Sequence, residues 1–123
     1  MNLHELAEKI NKSVDDLDLV SARKYMEENK ELLKVNKSLL KRNARELFDF
    51  LISSSGSNTV PLTREELKAT NAINLYATRF DLRGLKTAVK NYSELLLRDD
   101  VLPYLNTDAK ILLEGMGAIQ KKE

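Results

Sequence analysis

Five cations in the first part of the chain have the spacing that best fits chemistry with an anionic partner. Lys34, Lys37, Lys41 and Arg45 are separated by three, four and four positions, and Arg42 lies among them. On a single helix such residues form a stripe along one face, and a basic stripe can hold phosphate groups through contacts that weaken with added salt. No aromatic residue interleaves with them to stack on bases. A solvated helix face is the more ordinary interpretation, so binding of nucleic acid or phosphate is the alternative function.

Two acidic clusters are further candidates. Asp15, Asp16 and Asp18 form the first cluster, and Asp99 and Asp100 form the second. Paired carboxylates can bind a metal ion or act as acid and base. Both clusters stand where helices are expected to begin, and aspartate is favoured there because it caps free N–H groups. We therefore interpret both clusters as helix caps and predict no metal site.

Familiar catalytic constellations are missing from the sequence. His4 is the single histidine and has no partner at ligand spacing, so we interpret it as an exposed residue. The chain contains no cysteine, no glycine-rich phosphate loop and no G-x-S-x-G nucleophile elbow. We predict no catalytic residue and no cofactor, and hence a protein that is not an enzyme.

Three apolar residues are candidates for contact with a protein partner. Phe50 lies beside Asp49, away from the apolar stripe of its predicted helix, and aromatic residues are enriched at interfaces. Met116 and Ile119 belong to an apolar tail that follows Gly115, and this tail either folds back onto the core or meets another chain. We predict that Phe50, Met116 and Ile119 contact a protein partner or a second copy of the chain.

The composition narrows the class of protein. A length of 123 residues fits one domain with a real core. The formal net charge of +1 gives no overall attraction to nucleic acid or to a membrane surface. No apolar run approaches the roughly 20 residues of a membrane span, and the first residues lack the apolar core of a signal peptide. We predict a cytoplasmic protein that does not contact membranes.

A self-match predicts the helices that position these residues. Residue n matches residue n + 63, with nine identities between positions 1 and 43, where about two to four would arise by chance. From Ala44 onward the offset is 65, so two extra residues lie in the second copy, near Pro103 or Thr107. Such a match indicates a repeated helical unit, although two amphipathic segments also resemble each other through pattern alone. The identical pairs are Ile10/Ile73, Asn11/Asn74, Asp18/Asp81, Leu19/Leu82, Glu31/Glu94, Leu32/Leu95, Leu33/Leu96, Leu39/Leu102 and Asn43/Asn106.

Capping signals and apolar spacing place the individual helices. The pairs Asn2–Glu5 and Thr63–Glu66 have the spacing of capping boxes, which predicts helices from Leu3 to about Lys12 and from Arg64 to about Arg79. The remaining predicted caps are Asp18, Asp81 and either Asn106 or Thr107. The buried stripe of the helix that begins at Arg64 is predicted to contain Ala69, Ile73, Tyr76 and Phe80.

The sequence thus predicts an all-α fold, a compact domain of about six to eight helices in two similar halves. Residues 1–52 form the first half, 53–62 a flexible Ser/Gly-rich linker, 63–118 the second half and 119–123 a frayed tail. The leading function is a non-enzymatic protein-interaction or regulatory module that binds a protein partner or forms a homodimer.

Overall fold

The computed structural model describes residues 2–54 and 61–120. Within these ranges the regular structure is entirely helical, which confirms the predicted all-α class. It comprises eight α-helices and two short 3-10 helices. In chain order they are α1 (Leu3–Asp15), α2 (Leu19–Glu28), α3 (Lys30–Lys34), the first 3-10 helix (Lys37–Leu39), α4 (Arg42–Ser54), α5 (Arg64–Thr78), α6 (Leu82–Asn91), α7 (Ser93–Leu96), the second 3-10 helix (Asp99–Tyr104) and α8 (Thr107–Met116).

The same order of elements occurs twice. Helices α1 to α4 with the first 3-10 helix occur in the same order as α5 to α8 with the second, and α2 and α6 both contain 10 residues. Helix α1 packs against α2 and α4, and α5 packs against α6 and α8. The apolar faces of both sets meet in one core, in which Ile10, Leu33, Ile73 and Leu113 have no exposed surface.

The turn after the first helix of each set has an unusual backbone conformation. Leu17 has a φ of 63° and Phe80 a φ of 55°, which places both in the left-handed region. For residues with a side chain this conformation costs roughly 1–2 kcal/mol. The following residues, Asp18 and Asp81, cap α2 and α6 by accepting a hydrogen bond from the backbone N–H three positions further on. The two predicted aspartate caps are confirmed.

Asn11 fastens the beginning of α4 to α1. Its side-chain Nδ2 donates a hydrogen bond to the carbonyl of Leu39 at 3.3 Å, and its Oδ1 accepts one from the backbone N–H of Lys41 at 2.9 Å. A single amide therefore satisfies a donor and an acceptor at the end of the first 3-10 helix, where the chain leaves one helix and enters the next.

Asn74 forms the same pair of bonds in the second set. Its Nδ2 donates to the carbonyl of Tyr104 at 2.9 Å, and its Oδ1 accepts from the N–H of Asn106 at 2.9 Å. Asn106 thus occupies the place of Lys41, so the predicted match of Asn43 with Asn106 is wrong. The two extra residues therefore lie before Asn106, in the region of the second 3-10 helix, which is longer than the first.

The Asn74 bridge should be measurable as stability. Replacing Asn74 by alanine removes both bonds, and we expect the free energy of unfolding to fall by about 1–2 kcal/mol in a urea titration. Asn71 is exposed on the same helix and its side chain bonds to no residue in the described part of the chain. Asn71→Ala is therefore the control and should change stability by less than about 0.5 kcal/mol. Equal losses in the two variants would contradict a structural role for the bridge.

The segment between the halves is shorter than predicted. Helix α4 continues to Ser54, so the predicted linker at 53–62 does not begin at residue 53. At its other end, Leu62 is half-buried and packs against the small cluster that contains Leu95 and Val101. The rest of the predicted linker, residues 55–60, lies outside the described residues.

The tail after α8 folds back onto the core. Gly117 ends the helix in the left-handed conformation with a φ of 81°, and the N–H of Ala118 then donates to the carbonyl of Leu113 at 2.9 Å. Ala118 and Ile119 are buried. The predicted frayed tail at 119–123 is therefore wrong at Ile119, because burial of its side chain anchors this residue, and residues 121–123 lie outside the described part of the chain.

Candidate functional site

The five predicted anion-binding cations do not share one helix. The chain changes direction twice between them, at the end of α3 and again before α4, so the helical spacing that predicted a stripe does not apply. Lys34 is the last residue of α3, Lys37 begins the first 3-10 helix, Lys41 precedes α4, and Arg42 and Arg45 belong to α4.

Most of these cations also have a carboxylate partner. Exposed ion pairs contribute little to stability, but each one lowers the positive potential that an anionic ligand would meet. Arg45 is the member without a carboxylate partner among the described residues. The four pairs are Lys34–Glu31 at 3.3 Å, Lys37–Asp49 at 3.0 Å, Lys41–Asp15 at 3.5 Å and Arg42–Glu46 at 3.2 Å.

The predicted partner surface is not an exposed patch. Ile119 is buried, and Phe50 and Met116 are half-buried and pack against the main core cluster. The prediction is wrong for Ile119 because the left-handed turn at Gly117 returns the chain to the body of the protein. The sequence left open whether the tail folds back or meets another chain, and in this structure it folds back.

The two acidic clusters have different roles. In the first cluster Asp18 caps α2, as predicted, but Asp15 and Asp16 lie at the C-terminal end of α1, so the interpretation as caps of a helix start is wrong for them. In the second, no side chain caps the 3-10 helix that begins at Asp99, so the capping interpretation is wrong there. Asp100 instead accepts two hydrogen bonds from Arg98, at 2.9 Å from Nε and 2.6 Å from Nη2.

Arg98 is a structural cation that the sequence did not reveal. Its side chain is 11% exposed, and Nη1 lies 3.4 Å from Oε2 of Glu66 while Nη2 binds Asp100. The hydrogen bond to Asp100 is the main cause that raises the pKa of Arg98 above its usual range. The arrangement holds the second 3-10 helix against the first turn of α5. A bidentate pair two residues apart leaves no periodic signal, so pattern reading missed it.

A cleft of about 640 Å³ lies between the halves. Helices α4 and α6 contribute to its walls, with the end of α1 and the residues of α7. Burial raises the pKa of the Glu94 carboxyl above its usual range, and the nearby carboxylate of Glu46 raises it further. Lys86 and Lys90 also line the cleft, so its charges are mixed and no set of like ligands converges in it.

The raised pKa of Glu94 predicts the direction of a pH effect. The folded chain binds this proton more tightly than the unfolded chain, so the contribution to stability is present below the unfolded pKa and is lost as the pH rises through the folded pKa. Glu94→Gln should therefore be more stable than wild type at neutral pH. It should also lose less stability as the pH rises from the unfolded pKa of Glu94 through the folded pKa. Urea titrations at a series of pH values measure this.

Exposed apolar side chains are concentrated in the second half. Among the described residues, nine large apolar side chains are exposed, and seven of them follow residue 64. Scattered exposed apolar residues are ordinary, so their number alone identifies no binding surface. The nine are Leu32, Val35, Leu75, Phe80, Leu82, Tyr92, Leu102, Tyr104 and Ile111.

The sharpest contrast between the halves is at the turns that follow α1 and α5. We call Leu17 and Leu19, with the residues beside them, the α1–α2 corner, and Phe80 and Leu82, with theirs, the α5–α6 corner. Leu17 packs against the core and Leu19 is 1% exposed. At the matched positions Phe80 is 68% exposed and Leu82 is 39% exposed. Phe80 was predicted to lie on a buried stripe, and this prediction is wrong because α5 ends at Thr78, so the helical spacing does not extend to Phe80 in the turn that follows.

The tail after α8 covers the α1–α2 corner. The backbone N–H of Val20 donates to the carbonyl of Gly117 at 3.0 Å, and the buried Ala118 lies beside Leu19. Gly117 is so close to Asp18 that a Cβ added to it would lie 2.6 Å from Oδ1 of that cap. In the first half, α4 stays helical through the matched position Ile52 and provides no such turn. The α5–α6 corner therefore has no equivalent cover in the described part of the chain.

Comparisons with protein-family models, with curated proteins and with solved structures found no match. Among the described residues, no group of three or more histidine, cysteine, aspartate or glutamate side chains is placed to hold a metal ion. His4 is exposed in the first turn of α1. None of the helices in residues 2–54 and 61–120 has the length and apolar content to span a membrane.

Proposed function

We propose that this chain is a non-enzymatic protein-interaction module, made of two copies of one helical unit, and that a protein partner binds the α5–α6 corner. The observation that carries the proposal is the exposure of Phe80, a large aromatic residue in a left-handed turn, where the matched Leu17 is covered by the chain itself.

The duplication is supported by details that apolar periodicity alone does not require. Leu17 and Phe80 share a rare backbone conformation, Asp18 and Asp81 cap the next helix in the same way, and both halves contain an asparagine bridge. Two helical segments that resembled each other only through their amphipathic pattern would have no reason to repeat these features. A copied unit has such a reason, because it retains its turns and caps.

The conformation of Phe80 supports a role in binding. Glycine adopts the left-handed region without the cost of roughly 1–2 kcal/mol that other residues bear there. Phe80 keeps this cost and also exposes most of its ring, so the residue does little for the stability of the isolated chain. Strain combined with exposure is typical of functional positions. Aromatic side chains are also prominent among the residues that dominate binding energy at interfaces.

The same corner favours a binding role over catalysis. Phe80 and Leu82 bring apolar surface, and among the described residues no hydrogen bond or ion pair joins charged side chains of this corner to one another. A reaction centre needs a nucleophile, an acid or a base within hydrogen-bond reach of one another.

We also place the module in the cytoplasm, which suits a chain without cysteine.

Site-specific photo-crosslinking tests the proposal. A photoreactive phenylalanine analogue replaces Phe80 in one variant and Ile111 in another, because Ile111 is also apolar and 62% exposed but lies on α8. In cells of the source organism, we expect the analogue at position 80 to form one dominant adduct that position 111 does not form. The cross-linked protein is then purified and titrated with the unmodified chain.

Two outcomes contradict the proposal. The first is that position 80 gives no adduct, or gives the same faint set of adducts as position 111. The second is that the purified cross-linked protein binds wild type and Phe80→Gly with equal affinity, because the corner would then not carry the interaction.

A further inference from the structure

We infer that the segment bound by the α5–α6 corner is an acidic one from a different protein, in which an apolar residue is flanked by carboxylates. This inference rests on the proposed function and adds the chemistry of the partner. It follows from the charges that surround Phe80 and Leu82 and from the way the α1–α2 corner is covered.

Two arginines flank the apolar residues of the α5–α6 corner. Arg79 and Arg83 are both exposed, and neither has a carboxylate partner in residues 2–54 and 61–120. The carboxylate of Asp81 lies between them in sequence, and one of its oxygens accepts a hydrogen bond from the N–H of Gly84 in the first turn of α6. The corner therefore presents two exposed cations beside its apolar residues, with one carboxylate between them, so positive charge is in excess there.

The matched positions of the first half have different charges. Asp16 occupies the place of Arg79, and Val20 occupies the place of Arg83. The covered corner thus has no cation at either position, and the uncovered corner has one at both. The two cations are a feature of the second half alone and coincide with the exposed apolar residues.

Electrostatics then select the partner. Docking on Phe80 and Leu82 brings Arg79 and Arg83 into the rim of the interface, and guanidinium groups that lose water need acceptors in return. Carboxylates supply these acceptors in bidentate geometry and also accelerate association. A basic or neutral segment would leave both guanidinium groups partly desolvated without a partner.

A second copy of the chain fits this corner poorly. In a two-fold dimer the corner would face the same corner of the other molecule, which brings Arg79 and Arg83 close to their own copies. The tail of the second copy is not free either, because Gly117 to Ile119 covers the α1–α2 corner of its own chain. We therefore assign the corner to a different protein.

The covered corner also indicates how the segment is held. In the first half the N–H of Val20 donates to the carbonyl of Gly117 at 3.0 Å. The matched N–H belongs to Arg83, and among the described residues it has no acceptor. We expect a backbone carbonyl of the partner segment to take this place, with the apolar side chain of the segment on Phe80 and Leu82.

A selection experiment tests the chemistry of the partner. The intact chain is immobilised and presented with a phage-displayed library of random peptides of about 12 residues, a length sufficient for an extended or single-helix segment. We expect enrichment of peptides in which aspartate or glutamate flanks a large apolar residue. A synthetic peptide of the enriched sequence is then titrated with the variants.

Charge-reversal variants provide the decisive comparison. The double variant Arg79→Glu/Arg83→Glu should bind the synthetic peptide at least about tenfold more weakly than wild type. The matched control is Arg45→Glu/Arg64→Glu, which reverses two other exposed cations without a carboxylate partner among the described residues and should bind like wild type. Both variants should unfold with the same midpoint temperature as wild type, which shows that they are folded.

The outcomes separate this inference from the proposed function. Peptides that require Phe80 but are not acidic, or that bind the Arg79→Glu/Arg83→Glu variant as well as wild type, overturn the inference and leave the corner as a binding surface. Peptides that bind Phe80→Gly equally well overturn both, and so does a library that yields no enriched peptide. A dimer in sedimentation that Phe80→Gly dissociates overturns the inference, because the occupant is then a second copy.

Discussion

Phe80→Gly should abolish binding without harming the fold. We expect the affinity for the partner segment to fall at least about thirtyfold, which corresponds to about 2 kcal/mol and is typical of an aromatic residue at the centre of an interface. The free energy of unfolding should stay within about 1 kcal/mol of the wild-type value, because glycine relieves the left-handed strain and the lost ring was mostly exposed. Isothermal titration and urea titration measure the two quantities.

Leu17→Gly is the matched control for this prediction. It makes the same change of backbone freedom at the matched turn, where φ is 63°, but removes a side chain that packs against the core. We expect it to keep full affinity for the partner segment and to be less stable than Phe80→Gly by about 1–2 kcal/mol. A loss of affinity in Leu17→Gly, or a large loss of stability in Phe80→Gly, would contradict the division of roles between the two corners.

Gly117→Ala should be strongly destabilising. Alanine at a φ of 81° costs roughly 1–2 kcal/mol. Its Cβ would also lie 2.6 Å from Oδ1 of Asp18, so the cap of α2 has to move, which costs about another 1 kcal/mol. We expect the free energy of unfolding to fall by about 2–3 kcal/mol in a urea titration, from these two causes together.

Gly115→Ala is the control for the tail. Gly115 lies within α8, and a Cβ added to it would meet nothing within 4 Å. Alanine is favoured over glycine inside a helix, so this variant should be more stable than wild type by about 0.5–1 kcal/mol. If Gly117→Ala were as stable as Gly115→Ala, the tail would not be held by the conformation of Gly117 and the cover on the α1–α2 corner would have another origin.

Local signals in the sequence predicted most of the helix starts correctly. The capping box at Thr63 and Glu66 is present with both of its hydrogen bonds, and Asp18 and Asp81 cap the helices that they were expected to cap. These features depend on residues three positions apart, so the sequence contains all the information they need. Helix ends were less accurate: α1 continues to Asp15, beyond the predicted end near Lys12, because apolar packing of Val14 extends it.

Features that depend on distant parts of the chain were not predictable from local patterns. The prediction of a basic stripe is wrong because the helix is interrupted twice between Lys34 and Arg42. No glycine or proline marks these interruptions in the sequence. The burial of Ile119 depends on the packing of the returning chain against the core, which the local turn at Gly117 does not itself reveal. The exposure of Phe80 is a further case, since Leu17 has the same left-handed conformation at the matched position but packs against the core.

The bond between Val20 and Gly117 has a consequence for folding during synthesis. The residues that complete the α1–α2 corner are translated nearly a whole chain after the residues they cover, so a ribosome releases the first helices with Leu19 still uncovered. Contacts between such distant positions form late because loop closure is entropically unfavourable. Until the tail emerges, the nascent chain therefore exposes apolar surface at both the α1–α2 corner and the α5–α6 corner. A chaperone that binds apolar segments would compete with the binding partner during this interval.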